Sequence, residues 1–164
     1  MQPPFELTSI EGLSKGGVVT KLARDVMTPD PVCCSPGTTL DQVAQLMAEN
    51  NCGEIPIIDT ADRPVGVITD RDIVCRVVAA GKNPMAHTVE SSMTSSVVTV
   101  RADASIHEVI AIMEDHQIRR VPVVDDSGCC MGIISQADIA AIEPPKIAGE
   151  LLWELSRDSG APSR

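Results

Sequence analysis

The sequence predicts an α/β protein built from two tandem copies of one strand–helix–strand–strand–helix unit. Three observations predict it. Met27–Ile73 written under Met93–Ile139 aligns 47 positions at a constant offset of 66 without a gap, and eleven of the pairs are identical. Each copy then carries an apolar stripe at helical spacing: Leu40, Val43, Ala44, Leu46 and Met47 in the first, Ile106, Val109, Ile110, Ile112 and Met113 in the second. Each copy also closes on one stretch, Gly66-Val67-Ile68-Thr69-Asp70-Arg71-Asp72-Ile73 and Gly132-Ile133-Ile134-Ser135-Gln136-Ala137-Asp138-Ile139. A glycine, two β-branched residues, a hydroxyl and an aspartate three residues on read as a strand running into a capped helix.

Residues 1–20 mix Pro, Gly and Ser without a clean period and are expected to form a loose arm. The first repeat is assigned to 21–82. It opens on a short strand at Val32-Cys33-Cys34, continues with the helix around Leu40–Met47, and then forms two strands, Ile55–Ile58 and Val65–Ile68. Asp59-Thr60-Ala61-Asp62 supplies the turn between them. A second helix is predicted from about Asp70 to Ala80, stopped by Gly81. Gly81-Lys82-Asn83-Pro84 opens the linker, and the second repeat is assigned to 83–143. Its strands are predicted at Val97–Val100, Val121–Val124 and Met131–Ile134, with Asp125-Asp126-Ser127-Gly128 as the turn. Pro56 and Pro122 are expected near a strand start or on an edge, where no ladder N–H is needed. Glu143-Pro144-Pro145 breaks the chain, and 144–164 carries a last amphipathic helix. Its Ile147, Leu151, Leu152 and Leu155 are expected to pack on the module or on a partner subunit.

Composition narrows the function. The 164 residues are 43% apolar and 22% charged, which is globular composition, and with one Phe, one Trp and no Tyr the core must be aliphatic. A formal charge of −10 argues against a nucleic-acid backbone as partner, and the near absence of aromatics argues against base stacking. No apolar run reaches the length of a membrane span, and the N-terminus lacks a secretory pattern, so a cytoplasmic location is expected. Six cysteines include the pairs Cys33-Cys34 and Cys129-Cys130 but no Cys-x-x-Cys, so no metal site is expected and they read as small apolar residues.

The two closing stretches hold the candidate chemistry. A helix N-terminus suits a phosphate, a carboxylate accepts hydrogen bonds from a sugar diol, and a glycine admits a ligand close to the backbone. The same pattern is also a plain capping box. Both readings are open from the motif alone.

Taken together, Val26-Met27-Thr28, Ile55-Pro56-Ile57-Ile58-Asp59, Val121-Pro122-Val123-Val124-Asp125 and the two Gly-x-x-Thr/Ser-x-x-Asp stretches resemble the cystathionine-β-synthase (CBS) domain, arranged as a tandem pair over about Arg24 to Ile142. Asp70-Arg71-Asp72-Ile73 followed by Ala79-Ala80-Gly81 is similar to stand-alone bacterial CBS pairs, which include the mycobacterial hypoxic-response type. The resemblance implies two βαββα units packed about a pseudo-two-fold axis, two clefts between them, a homodimer, and a regulatory role in stress. In such a module each cleft takes an adenosine-containing ligand, an adenine nucleotide or S-adenosylmethionine, and no cofactor is required.

Carried over residue by residue, the resemblance assigns ribose to Asp72 and Asp138, and phosphate to Thr69 and Ser135. Thr28, Thr94, Cys33, Thr99, Gly53, Ile55 and Val121 would line the adenine pockets, with Arg119 and Arg120 reaching phosphate. Gly53-Glu54 stands where the second copy has Arg119-Arg120. A glutamate repels a phosphate, so the cleft receiving the arginine pair is expected to bind nucleotide more tightly.

The alternative is a structural or interaction protein that binds no nucleotide, in which both stretches are only caps. No enzyme is expected. His87 falls in the linker, His107 and His116 lie about 180° apart on one helix, and no Cys–His spacing appears. The protein target of the module is unnamed by the sequence.

Overall fold

A computed structural model describes residues 21–157. The predicted arm, 1–20, and the tail after 157 lie outside the described residues. Elements follow in the order α1 (Ala23–Val26), β1 (Thr28–Pro29), α2 (Leu40–Glu49), β2 (Glu54–Ile58), β3 (Pro64–Thr69) and α3 (Asp70–Ile73), which continues as a π-helical turn over Val74–Val78. After two 3₁₀ turns come β4 (Val100–Arg101), α4 (Ile106–His116), β5 (Arg120–Val124), β6 (Cys130–Ser135), α5 (Gln136–Ile142) and α6 (Pro145–Arg157).

The repeats exchange their leading segments. β1, from the first repeat, pairs antiparallel with β6 of the second through Thr28↔Ile133. The residue 66 positions on, Thr94, bridges Val67 in β3 of the first repeat. Leu22↔Ser105 and Thr88↔Thr39 form a further pair of bridges at the same offset. The amide of Ala23 donates to the carbonyl of Ala104 at 2.8 Å, and that of Val89 to Thr38 at 2.9 Å. One sheet runs β1-β6-β5-β4, and β2–β3 forms the other. The symmetry therefore reaches back to Leu22 and Thr88, beyond the aligned block read from the sequence.

Exchange also unites the cores. Ile55, Ile57 and Ile68 pack with Leu40, Val43 and Met47 of α2, and Val89 from the second repeat completes that cluster. Val121, Val123 and Ile134 pack with Ile106, Val109 and Met113 of α4, and Ala23 from the first repeat completes the other. Leu151 and Leu155 of α6 close this second core, so the last helix packs on the module, while Leu152 stays exposed.

Several sequence expectations are adjusted by this geometry. The leading strands are shorter than predicted: Val32–Cys34 shrinks to one parallel bridge, Cys34↔Ile57, and 97–99 is not strand. Pro56 sits inside β2, yet nothing is lost. Its carbonyl accepts from Cys34, its nitrogen faces the same side, and the parallel bridge on that side begins only at Cys34. Gly81 does end the helix, at φ 66°.

The glycines that open the two closing stretches serve packing. A Cβ built on Gly66 would lie 2.8 Å from Met93 Sδ and 3.0 Å from the Thr94 carbonyl, and one on Gly132 would overlap the Met27 side chain. The expectation that they admit a ligand is corrected: the space is filled by the methionine of the exchanged segment. Met27/Met93 and Gly66/Gly132 are thus two halves of one contact, made twice.

Candidate functional site

Both hydroxyl–aspartate pairs form reciprocal caps. Asp72 N–H donates to Thr69 Oγ1 at 3.1 Å, while Thr69 N–H (3.0 Å) and O–H (2.7 Å) donate to Asp72 Oδ2. Ser135 and Asp138 repeat the pattern: Asp138 N–H donates to Ser135 Oγ at 3.3 Å, while Ser135 N–H (2.8 Å) and O–H (2.7 Å) donate to Asp138 Oδ2. The hydroxyls are spent on the carboxylates, so Thr69 and Ser135 have no proton left to offer a phosphate. Each aspartate keeps one carboxylate oxygen outside its cap.

What becomes of that second oxygen separates the clefts. Asp72 Oδ1 is paired with Arg76 Nη2 at 3.1 Å. The same guanidinium donates to the Ser92 carbonyl at 2.7 Å and reaches Thr94 Oγ1 at 3.4 Å. Arg76 is 48% exposed, so the pair adds little stability, but it occupies the Asp72–Thr94 cleft from within. In the second repeat Ile142 stands where the first has Arg76. Among the described residues nothing occupies Asp138 Oδ1.

The open cleft is built across the repeats. A cavity of about 270 Å³ is lined by Thr28, Asp30, Pro31, Val32, Asn50, Cys52, Glu54, Pro56 and Ile133. Thr28 enters it because β1 pairs with β6, which sets Thr28 opposite Ile133. Ser135 lies two residues beyond Ile133 on the same face of β6, and the carboxylate of Asp138 caps the helix that follows. A larger open groove, about 480 Å³, surrounds Arg101, whose guanidinium is already shared by Asp103 and Asp126.

Several predicted site residues lie elsewhere. Ile55 and Val121 are fully buried in the two cores, because alternation on β2 and β5 turns Ile55 inward and leaves Glu54 and Pro56 facing the cleft. Cys33 lines a separate shallow depression with Cys34 and Ser35, and Thr99 another with Arg101 and Glu108. Arg119 is exposed, and its carbonyl accepts from Gln136 N–H at 2.9 Å. The Arg120 side chain reaches across to the first repeat: a Cβ on Gly53 would lie 3.8 Å from its Nη2 and 3.1 Å from Asp70 Oδ2.

Two features went unread in the sequence. Burial pushes Glu54 up to about 7, with Arg120 pulling it down and Asp72 adding to the rise. The thiols of Cys33 and Cys130 face each other across the repeats. Hydrogen bonding with Cys130, with burial behind it, holds Cys33 protonated, while the same contact lowers Cys130. Only the offset of the two repeats in space brings these cysteines together, so no sequence spacing reports them. His107 and His116 both lie on the exposed side of α4, and no described cluster of three or more His, Cys, Asp or Glu is placed to hold a metal.

Two α/β repeats that exchange their leading segments define a tandem-repeat module. The profile of the CBS domain matches residues 23–79 and 88–143, and the chain belongs to that family as a CBS pair. It is similar to hypoxic response protein 1 of Mycobacterium tuberculosis, 42% identical over 118 residues that span 72% of this chain and 82% of that protein. An uncharacterized protein of Methanopyrus kandleri, MK0525, is 38% identical over 76% of this chain, and the match spans 63% of its own length. Among solved structures, the CBS pair of protein MJ0100 in complex with 5′-methylthioadenosine and S-adenosyl-L-methionine aligns with TM-score 0.68 at 29% identity, covering 75% of this chain and 95% of that one. CBSX2 in complex with AMP aligns at 0.64 and 25% identity, covering 73% and 93%. CBS pairs are ligand-sensing regulatory modules, and these two neighbours bind adenosine compounds. Among the described residues no helix is long and apolar enough to cross a membrane.

Proposed function

We propose that this chain is a regulatory module that binds an adenosine-containing ligand in the cleft shared by Thr28 and Asp138, and passes the occupancy on through the pairing of two copies. The carrying observation is the difference between the clefts. Asp138 keeps an uncommitted carboxylate oxygen just past β6, whose Ile133 lines an open cavity, while Arg76 is paired with the second oxygen of Asp72. In this reading the ribose hydroxyls donate to Asp138, and the base lies against Thr28 and Pro56. The adenosine compounds bound by MJ0100 and CBSX2 support the ligand class. A ligand shifts such a module only by binding its two arrangements unequally.

The second copy would dock on the helix of the first closing stretch, where Val74 and Val78 are 56% and 58% exposed, unusual for valines on successive turns. All six cysteines are free thiols, which suits a reducing cytoplasm. The reading is that of a binding module, without a catalytic step of its own.

A thermal-shift titration with AMP, ATP, 5′-methylthioadenosine and S-adenosylmethionine tests it. At least one compound is expected to raise the melting temperature of wild type and of Asp72→Ala, and to lose that effect in Asp138→Ala. If the sites are caps alone, both variants lose about 1 kcal/mol of stability and no compound distinguishes them.

A further inference from the structure

The walls of the open cleft carry charge of one sign. Asp30 and Glu54 both line it, and none of its nine lining residues is basic. Arg120 lies outside that lining, reaches toward Gly53, and only partly offsets Glu54, which burial and Asp72 still raise. Arg76 is held in the other cleft by Asp72 and the Ser92 carbonyl. A phosphate entering here would meet two carboxylates and no basic residue in the walls themselves, whereas a thioether or sulfonium would meet a wall of suitable character.

We infer that this cleft selects adenosines whose 5′ substituent carries no net negative charge, neutral thioethers and cationic sulfoniums, over adenosine phosphates. The inference rests on the adenosine reading above and adds the selection by charge. Glu54 is the selecting residue, because it faces the cavity while Pro56 beside it supplies only surface.

The test is calorimetric titration of the full chain at one mildly alkaline pH with 5′-methylthioadenosine, S-adenosylmethionine and AMP, in wild type, Glu54→Gln and Asp138→Ala. Wild type is expected to bind both phosphate-free compounds at least about tenfold more tightly than AMP. Glu54→Gln, of the same shape, is expected to narrow that ratio to about threefold or less. AMP binding as tightly as 5′-methylthioadenosine in wild type overturns the selection while leaving the adenosine reading intact, and so does a ratio unmoved by Glu54→Gln. Failure of all three compounds to bind at millimolar concentration overturns the adenosine reading itself, and the selection with it. Binding that survives in Asp138→Ala places the ligand outside this cleft and overturns both.

Discussion

Gly132→Ala is expected to destabilise the protein by about 3 kcal/mol, because the added methyl overlaps the Met27 side chain in a packed contact. The methionine belongs to the first repeat and the glycine to the second, so the clash strikes the seam that holds β1 on β6. In a Met27→Ala background the same substitution is expected to cost under about 1 kcal/mol, a coupling of the size seen between touching residues. Urea denaturation of the two single variants and the double variant measures it. Additive costs would show that the glycine is fixed by something other than the exchanged segment. Loss of this seam would also carry Thr28 away from Ile133, and with it one wall of the open cleft.

Glu54→Gln is expected to raise stability at about pH 8 by on the order of 2 kcal/mol, with the gain vanishing near pH 4.5. Glu54 is half-buried, and burial lifts it to about 7 from the usual 4.5, against the pull of Arg120. A carboxyl raised in the folded state binds its proton more tightly there than in the unfolded chain. Its contribution is therefore favourable below 4.5, is lost as pH rises through 7, and becomes a fixed cost above. Glutamine keeps the shape and removes that cost. Denaturation curves across this range check it, and a gain independent of pH would contradict it. A carboxylate kept at such cost on the wall of a cleft argues that the wall serves the ligand and not the fold.

How much of this could be read from residues alone follows from the range of each interaction. The caps at Thr69 and Ser135 were legible because hydroxyl and carboxylate lie three residues apart, within one turn. The repeat was legible because identity and apolar pattern survive at one offset. The clefts were legible as a pair only through likeness to a family. Their asymmetry was not, although its signals were local. Arg76 stands four residues after Asp72 on one helix face, and Ile55 and Ile57 alternate with Glu54 and Pro56. Read at period 2, that strand already assigns Ile55 to the core and Glu54 to the cleft. The reach of Arg120 across to Gly53 of the first repeat has no local signal, because it depends on how the two repeats pack. Strand exchange itself leaves no local trace: β1 is two residues long, and its partner lies more than a hundred residues away.

The measurement that bears most directly on the shared cleft is a crystal structure of the full chain grown with 5′-methylthioadenosine. The account predicts the base against Thr28 and Pro56 of the first repeat and the ribose hydroxyls on Asp138 of the second. A ligand held by residues of one repeat alone, or seated between Thr94 and Asp72 with Arg76 displaced, would contradict it.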